Sequence, residues 1–255
     1  MKIAAIVSFV ALALAAAAGH AQAQAPAQNQ KPGQAVSLTQ DPHFHLMYAN
    51  PDIQVFDLVL LPHQSTLLDQ HNDDSLFVSF GQSTVTLQNS GLMPVQLNLP
   101  DGAVRFATGG FTRTLTNDGD RPFHDLTIVF LNEKLTGRGC SCNGGPAAAI
   151  CDCPNAPPLA ADWSRRIGQI LLRGVTLAPG ATYDDDSTRT TRFLVSVTPF
   201  DIMDVSIHEP KNLEVRLPEG RFHWLAPGPH KIQNLSPQPM RFVSVEFYGT
   251  VKKED

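Results

Sequence analysis

Two stretches of this chain run in step, and that constrains its fold more than any other feature. Leu60-Leu61-Pro62-His63 and Leu177-Ala178-Pro179-Gly180 each close an apolar run, and 55 positions after each proline stands an asparagine, Asn117 and Asn234. Before those asparagines, Leu99-Pro100-Asp101-Gly102 answers Leu217-Pro218-Glu219-Gly220. After them, Arg121-Pro122-Phe123-His124 and the run that follows answer Gln238-Pro239-Met240-Arg241. Self-similarity at a fixed period marks duplication of one supersecondary unit.

That unit is built of strands. Val55–Leu61, Leu76–Phe80, Ser83–Leu87, Val95–Leu99, Val104–Ala107, Thr112–Leu115 and Leu126–Leu131 are short, β-branched or aromatic runs. Gly, Pro, Asn and Asp punctuate them at roughly 8–12 residues, the pattern of a sandwich or barrel. Helical periodicity is confined to a weak run near Asp162–Leu172. The expected fold class is therefore all-β, with two tandem jelly-roll barrels.

On its motifs each repeat resembles a cupin, over about residues 50–131 and 170–248. The family carries G-x5-H-x-H-x3,4-E-x6-G and G-x5-P-x-G-x2-H-x3-N. In the first repeat His63 stands for the opening glycine, Asp69 and His71 for the two histidines, and Asp74, one residue early, for the glutamate before Gly81. Gly102, Gly109-Gly110 and Asn117 keep the second motif, with Arg113 at its histidine. In the second repeat Asp186 and Thr188 take the histidine positions, no glutamate follows, and His230 and Asn234 keep H-x3-N after Ala226-Pro227-Gly228.

The resemblance implies a double-sheet barrel whose four ligand residues point inward and hold one divalent metal. Such an ion needs three or four imidazoles and carboxylates converging on one point. The second repeat offers one imidazole and one carboxylate, since Thr188 is a poor ligand. The first offers Asp69, His71 and Asp74, but Arg113 would aim a permanent cation at the same place, and a buried Arg113–carboxylate pair is the simpler expectation. The leading functional expectation is a barrel without metal cofactor that binds a small polar ligand, a sugar or organic acid, without catalysis. There Arg113 would fix an anionic group and His71 supply a switchable donor, with Asp69 and Asp74 lining the same barrel and His230 a further ligand-binding candidate in the second. One alternative is an enzyme holding Mn, Fe, Zn or Ni through Asp69, His71 and Asp74, with dioxygenase, isomerase or decarboxylase chemistry. Another is a structural or interaction protein. The resemblance also implies pairing of barrel edges into a homodimer.

Other features have plainer readings. His43-Phe44-His45 would place two imidazoles on one strand face and reads as edge chemistry. Asp184-Asp185-Asp186 lacks the glycine and spacing of a calcium loop and reads as a solvated turn. Trp224 reads as core or barrel mouth. No GxSxG, HExxH, P-loop or GxGxxG element occurs.

The amino-terminal residues read as a secretory leader. Lys2 is followed by the uncharged apolar run 3–18 and by Ala21-Gln22-Ala23, the pattern cleaved by signal peptidase. Sixteen apolar residues fall short of the roughly 20 a spanning helix needs, so cleavage after Ala23 and a periplasmic or secreted chain free of the membrane are expected. Without Lys2 there remain 18 basic and 24 acidic residues, a balance that disfavours nucleic acid and anionic membrane as partners. In an oxidising compartment Cys140, Cys142, Cys151 and Cys153 are expected to form disulfides. A Cys140–Cys142 bond would be strained, and a four-thiolate zinc site is the alternative. The expected organisation is a signal peptide (1–23), a disordered leader (24–38), a first cupin domain (39–134), a Cys-rich linker (135–165), a second cupin domain (166–250) and a tail (251–255).

Overall fold

The computed structural model describes residues 33–131, 163–185, 191–206 and 212–248. The secretory leader, the four cysteines, Asp186, Thr188 and the tail lie outside them. The first barrel contains β1 (Val36–Ser37), a 3-10 turn (Leu38–Gln40), β2 (Phe44–Ala49), β3 (Ile53–Leu60), β4 (Asp69–His71), β5 (Asp74–Phe80), β6 (Ser83–Asn89), β7 (Val95–Leu99), β8 (Val104–Ala107), β9 (Phe111–Asn117) and β10 (Phe123–Phe130). The second contains β11 (Trp163–Ile167), β12 (Ile170–Leu177), β13 (Thr182–Asp185), β14 (Thr191–Ser196), β15 (Phe200–Ser206), β16 (Leu213–Leu217), β17 (Phe222–Leu225), β18 (His230–Asn234) and β19 (Met240–Phe247).

The two barrels share one topology. The sheets of the first run β1-β4-β9-β6-β7 and β2-β3-β10-β5-β8; those of the second run β13-β18-β15-β16 and β11-β12-β19-β14-β17. The duplication seen in the residues is thus a duplication of fold.

Successive side chains of a strand point to opposite faces, and in β3, β5 and β10 both faces are buried. Leu76, Val78 and Phe80 of β5, with Leu126, Ile128 and Phe130 of β10, face the other barrel and form one cluster with Leu172, Phe193, Val195, Val243, Val245 and Phe247. The alternate residues face inward, where Phe56, Leu58, Leu60, Val85, Leu87, Leu115 and Phe123 make the floor of the first barrel. Burial on two faces explains the near-continuous apolar runs at these strands. Ion pairs flank the seam: Asp57 meets His124 at 2.6 Å and Arg221 at 3.7 Å, and Arg241 pairs with Asp101. Gly220 lies flat against His124, so close that a Cβ there would come within 2.3 Å of the imidazole.

The two matched asparagines clamp the same turn in each barrel. Asn117 Nδ2 donates to the carbonyls of Leu60, Leu61 and Arg121, and its Oδ1 accepts from Gly119 N. Asn234 Nδ2 donates to the carbonyls of Leu177, Ala178 and Gln238, and its Oδ1 accepts from Ser236 N. The residue after each proline donates its N–H to the asparagine carbonyl, His63 to Asn117 and Gly180 to Asn234, both at 3.0 Å. This turn requires positive φ, 74° at Gly180 and 60° at His63.

Three expectations change. Residues 36–38 do not belong to a disordered leader: Val36 and Ser37 pair in parallel with Asp69 and Gln70, and Leu38 joins the first core. The stretch near 162–172 is a hairpin, with Trp163–Ile167 antiparallel to Ile170–Gly174, because Leu172 must face the seam while Leu171 and Arg173 face the barrel. Asp185 is no solvated turn residue; it is 3% exposed on β13.

The strained position yields a prediction. His63 is the one non-glycine at positive φ among the described residues, a conformation costing about 1 kcal/mol or more for a side chain with a Cβ. Its contact with Asp120 is highly exposed and adds little. His63→Gly should therefore stabilise the protein by about 1 kcal/mol in urea unfolding, and His63→Ala, which keeps the Cβ, should not.

Candidate functional site

The inward face of the sheet holding β4, β9 and β6 is built in rows. In a deep row, Leu87 lies opposite Leu115. Above it Asp69, Arg113 and Asn89 stand side by side across the three strands. Nearest the mouth, His71 lies opposite Phe111 with the rings stacked at 4.6 Å. Phe77, paired with Arg105, faces these rows from the other sheet, beside Asp125, Ser79 and Thr127. The structure thus brings Asp69, His71 and Arg113 to one wall.

Arg113 is 3% exposed, and its guanidinium carbon lies 4.5 Å from the Phe77 ring centre and 5.4 Å from that of Phe111. No carboxylate among the described residues lies within salt-bridge distance of it, so the expected Arg113–carboxylate pair is absent and aromatic faces take its place. Burial, with Arg105 nearby, pushes its pKa down to about 10, which still leaves it cationic at neutral pH. Asp69 is not its counter-ion. Burial and the adjacent Asp41 carboxylate push Asp69 up to about 8, so it is protonated at neutral pH and hydrogen-bonds Asp41. Burial works to raise Asp41 too, but the side chain and N–H of His43 and the N–H of Leu67 outweigh it and hold Asp41 below its ordinary value. Asp125 is pushed up to about 6 by burial, opposed by Arg105 and by donation from Ser79 Oγ at 2.8 Å. Burial, then Arg113, hold His71 well below the usual imidazole range, so it is neutral. Neither of its ring nitrogens has a hydrogen-bond partner among the described residues.

Asp74 begins β5 and accepts from Gly109 N at 2.9 Å. It holds the turn before β9 where the chain passes so close to Asn72 that a Cβ at Gly109 would come within 2.2 Å of its carbonyl. The metal set implied by the motif is not assembled. Asp69 uses its proton on Asp41, Asp74 binds a backbone N–H, and Arg113 brings a permanent cation to the wall. Among the described residues no three His, Cys, Asp or Glu side chains come together as a metal site. These residues do not fit a divalent cation.

Two openings flank β4. One of about 250 Å³ is lined by Leu38, Phe56, His71, Ser75 and Val129. The other, about 400 Å³, is lined by Asn89, Leu92, Gly110 and Phe111. Gln70 and Asn72 border both. Arg113 lies one row beneath them.

The second barrel shows what fills the equivalent space. By strand register Arg192 occupies the place of Ser75, Arg173 that of Phe56 and Glu246 that of Val129. Arg192, fully buried, pairs with Asp185 at 3.1 Å and donates to the carbonyls of Ala226 and Gly228. Arg173 pairs with Glu246 at 2.9 Å. His230 has one ring nitrogen 2.7 Å from Asp204 and the other 3.0 Å from Ala226 O, and His223 approaches Asp204 at 3.4 Å. Burial would raise Asp204, but these two histidines hold it below its ordinary value. Asp185 is the residue opposite His230, as Asp69 is opposite Arg113. The repeat spacing had pointed one residue later, to Asp186. The cations of the second barrel are thus matched by carboxylates and fill its mouth, while Ser75 leaves room in the first.

Sequence reasoning missed Asn89, Arg105 and Asp125. Their signal was phase: each stands on an inward-facing alternate position of a strand.

No family model and no curated protein sequence matches the chain. Solved structures do. AerE from Microcystis aeruginosa aligns with TM-score 0.54 at 10% identity, over 81% of this chain and 98% of its own. Lactobacillus farciminis oxalate decarboxylase in a formate complex aligns with TM-score 0.53 at 12% identity, over 83% and 85%. Hazelnut (Corylus avellana) vicilin aligns with TM-score 0.50 at 11% identity, over 81% and 84%.

Two predictions test the electrostatics. Arg192→Ala leaves Asp185 buried without its ion pair and should cost about 3–5 kcal/mol in chemical unfolding; replacing both, Arg192→Met with Asp185→Leu, should recover most of that. Asp69 holds its proton in the folded chain where the unfolded chain, with a pKa of about 4, has lost it. Its contribution to stability is therefore full below about pH 4 and is lost as pH rises through about 8. Asp69→Asn, whose amide can still donate to Asp41, removes that slope. The variant's melting temperature should gain on wild type more at about pH 9 than at about pH 5, and a gain independent of pH would mean that Asp69 is ionised in the fold.

Proposed function

We propose that this chain, whose fold is that of the two-barrel cupins, is an exported binding protein that holds a small organic anion in its first barrel without catalysis. Arg113 carries the reading: a guanidinium buried on two aromatic faces, with the neighbouring Asp69 carboxyl protonated and Asp125 acting on it only from beyond ion-pair distance, has no carboxylate in contact. Burying a charge without one is costly, and an incoming carboxylate makes a bidentate, charge-assisted pair. The contrast between the barrels supports the first as the site, because ion pairs occupy the mouth of the second. His71, neutral and without partners, and Asp69, as a protonated acid, offer further polar contacts, whereas Asp74 is engaged by Gly109. His230, already held by Asp204 and Ala226, has no part in the reading. Export rests on the leader and carboxylate binding on Arg113, so the two parts stand separately.

The test is calorimetry and thermal denaturation of the mature protein with formate, oxalate, succinate and citrate. At least one anion should bind, with stabilisation of about 2.7 kcal/mol at a hundredfold excess over Kd. Arg113→Met should abolish binding while the melting temperature holds or rises, since a buried charge is removed. Absence of any response, or unchanged affinity in Arg113→Met, overturns the reading. Stoichiometric metal lost in His71→Ala would establish the metal-dependent alternative instead.

A further inference from the structure

The wall around Arg113 carries more than a charge. Asn89 is 7% exposed, and its cross-strand pairing with Arg113 puts the two side chains on one face. Its Oδ1 has no hydrogen-bond partner among the described residues, nor have Asp69 Oδ1 and both nitrogens of His71. These are the polar groups nearest Arg113 on its own sheet: Asp69 and Asn89 flank it in its row, and His71 stands one row nearer the mouth beside Phe111. His71 lines one opening and Asn89 the other. In most structures buried polar side chains find partners, and here three adjacent residues leave such atoms unmatched around one cation.

Resting on the reading of this barrel as an anion site, we infer that the anion is hydroxylated: a hydroxy acid or sugar acid whose carboxylate meets Arg113 and whose hydroxyls meet His71 and Asn89. The match is one of hydrogen-bonding type. Arg113 only donates. An imidazole with one proton offers one donor and one acceptor, an amide offers both, and the Asp69 oxygen accepts. A hydroxyl donates and accepts, so it satisfies each of these whichever way the amide is turned. An alkyl chain would reach the same wall and leave them dry and unpaired. A neutral sugar would satisfy them and leave the guanidinium without a carboxylate in contact. The ring faces of Phe111 and Phe77 supply apolar surface for the carbon skeleton.

The experiment compares matched probes by calorimetry on the mature wild-type protein: gluconate against hexanoate, malate against succinate, and glucose as the uncharged control. Gluconate or malate should bind at least about tenfold tighter than its plain counterpart, the scale of one lost buried hydrogen bond, and glucose should bind more weakly than gluconate. Asn89→Leu, and His71→Phe, which keeps the stack on Phe111, should each shrink the hydroxylated-over-plain ratio, whereas Arg113→Met should weaken hydroxylated and plain acids alike. Equal binding of hydroxylated and plain acids overturns this inference and leaves the anion reading standing. Glucose binding as tightly as gluconate, or no binding by any carboxylate, overturns both. The wild-type comparison decides the matter even where a variant fails to fold.

Discussion

The structure depends on burying both faces of β3, β5 and β10 and of their counterparts β12, β14 and β19. One face of each sheet packs into its own barrel and the other into a cluster shared by the two barrels. Apolar burial at this seam is non-directional and proportional to area, so it tolerates exchange of one apolar side chain for another. The asparagine clamps are directional and do not. Together they let the repeats drift to the point where few residues match while strand order is unchanged.

With the frame secured elsewhere, the interiors have diverged. Where the first barrel has Phe56, Ser75 and Val129, the second has Arg173, Arg192 and Glu246, and the replacements are mutually compensating: each guanidinium reaches a carboxylate. The first barrel has small and apolar residues at its mouth and places Arg113 against rings in place of a contacting carboxylate. Neutralising Asp69 through Asp41 is part of that arrangement, since an ionised Asp69 would offer Arg113 an internal partner.

Much of the frame was legible in the residues. Repeat spacing located both asparagines and the turn that His63 strains, and the β-branched runs located the strands, because those signals are local. The site was legible in part. Asp69, His71 and Arg113 do share a wall, as the motif implied, but the surroundings of Arg113 depend on Phe77 from another sheet and on Asp41, which lies upstream of the motif and keeps Asp69 protonated. Neither contact has a sequence signature. Asp185 was displaced by one residue because counting positions assumes equal strand lengths between repeats, whereas register is set by pairing. The hairpin at β11 and β12 looked weakly helical because Ile167, Ile170, Leu171 and Leu172 satisfy either period over so short a span.

Both tryptophans of the chain sit at the seam. Trp163 packs on the shared cluster from β11, and Trp224 from β17 lies 5.3 Å from Tyr48 of the other barrel and close to Phe193 and Phe247. Intrinsic fluorescence excited at the indole band is thereby a gauge of how firmly the two halves are docked. Emission shifting to the red would mark their separation before either half melts, a signal distinct from any change at the wall around Arg113.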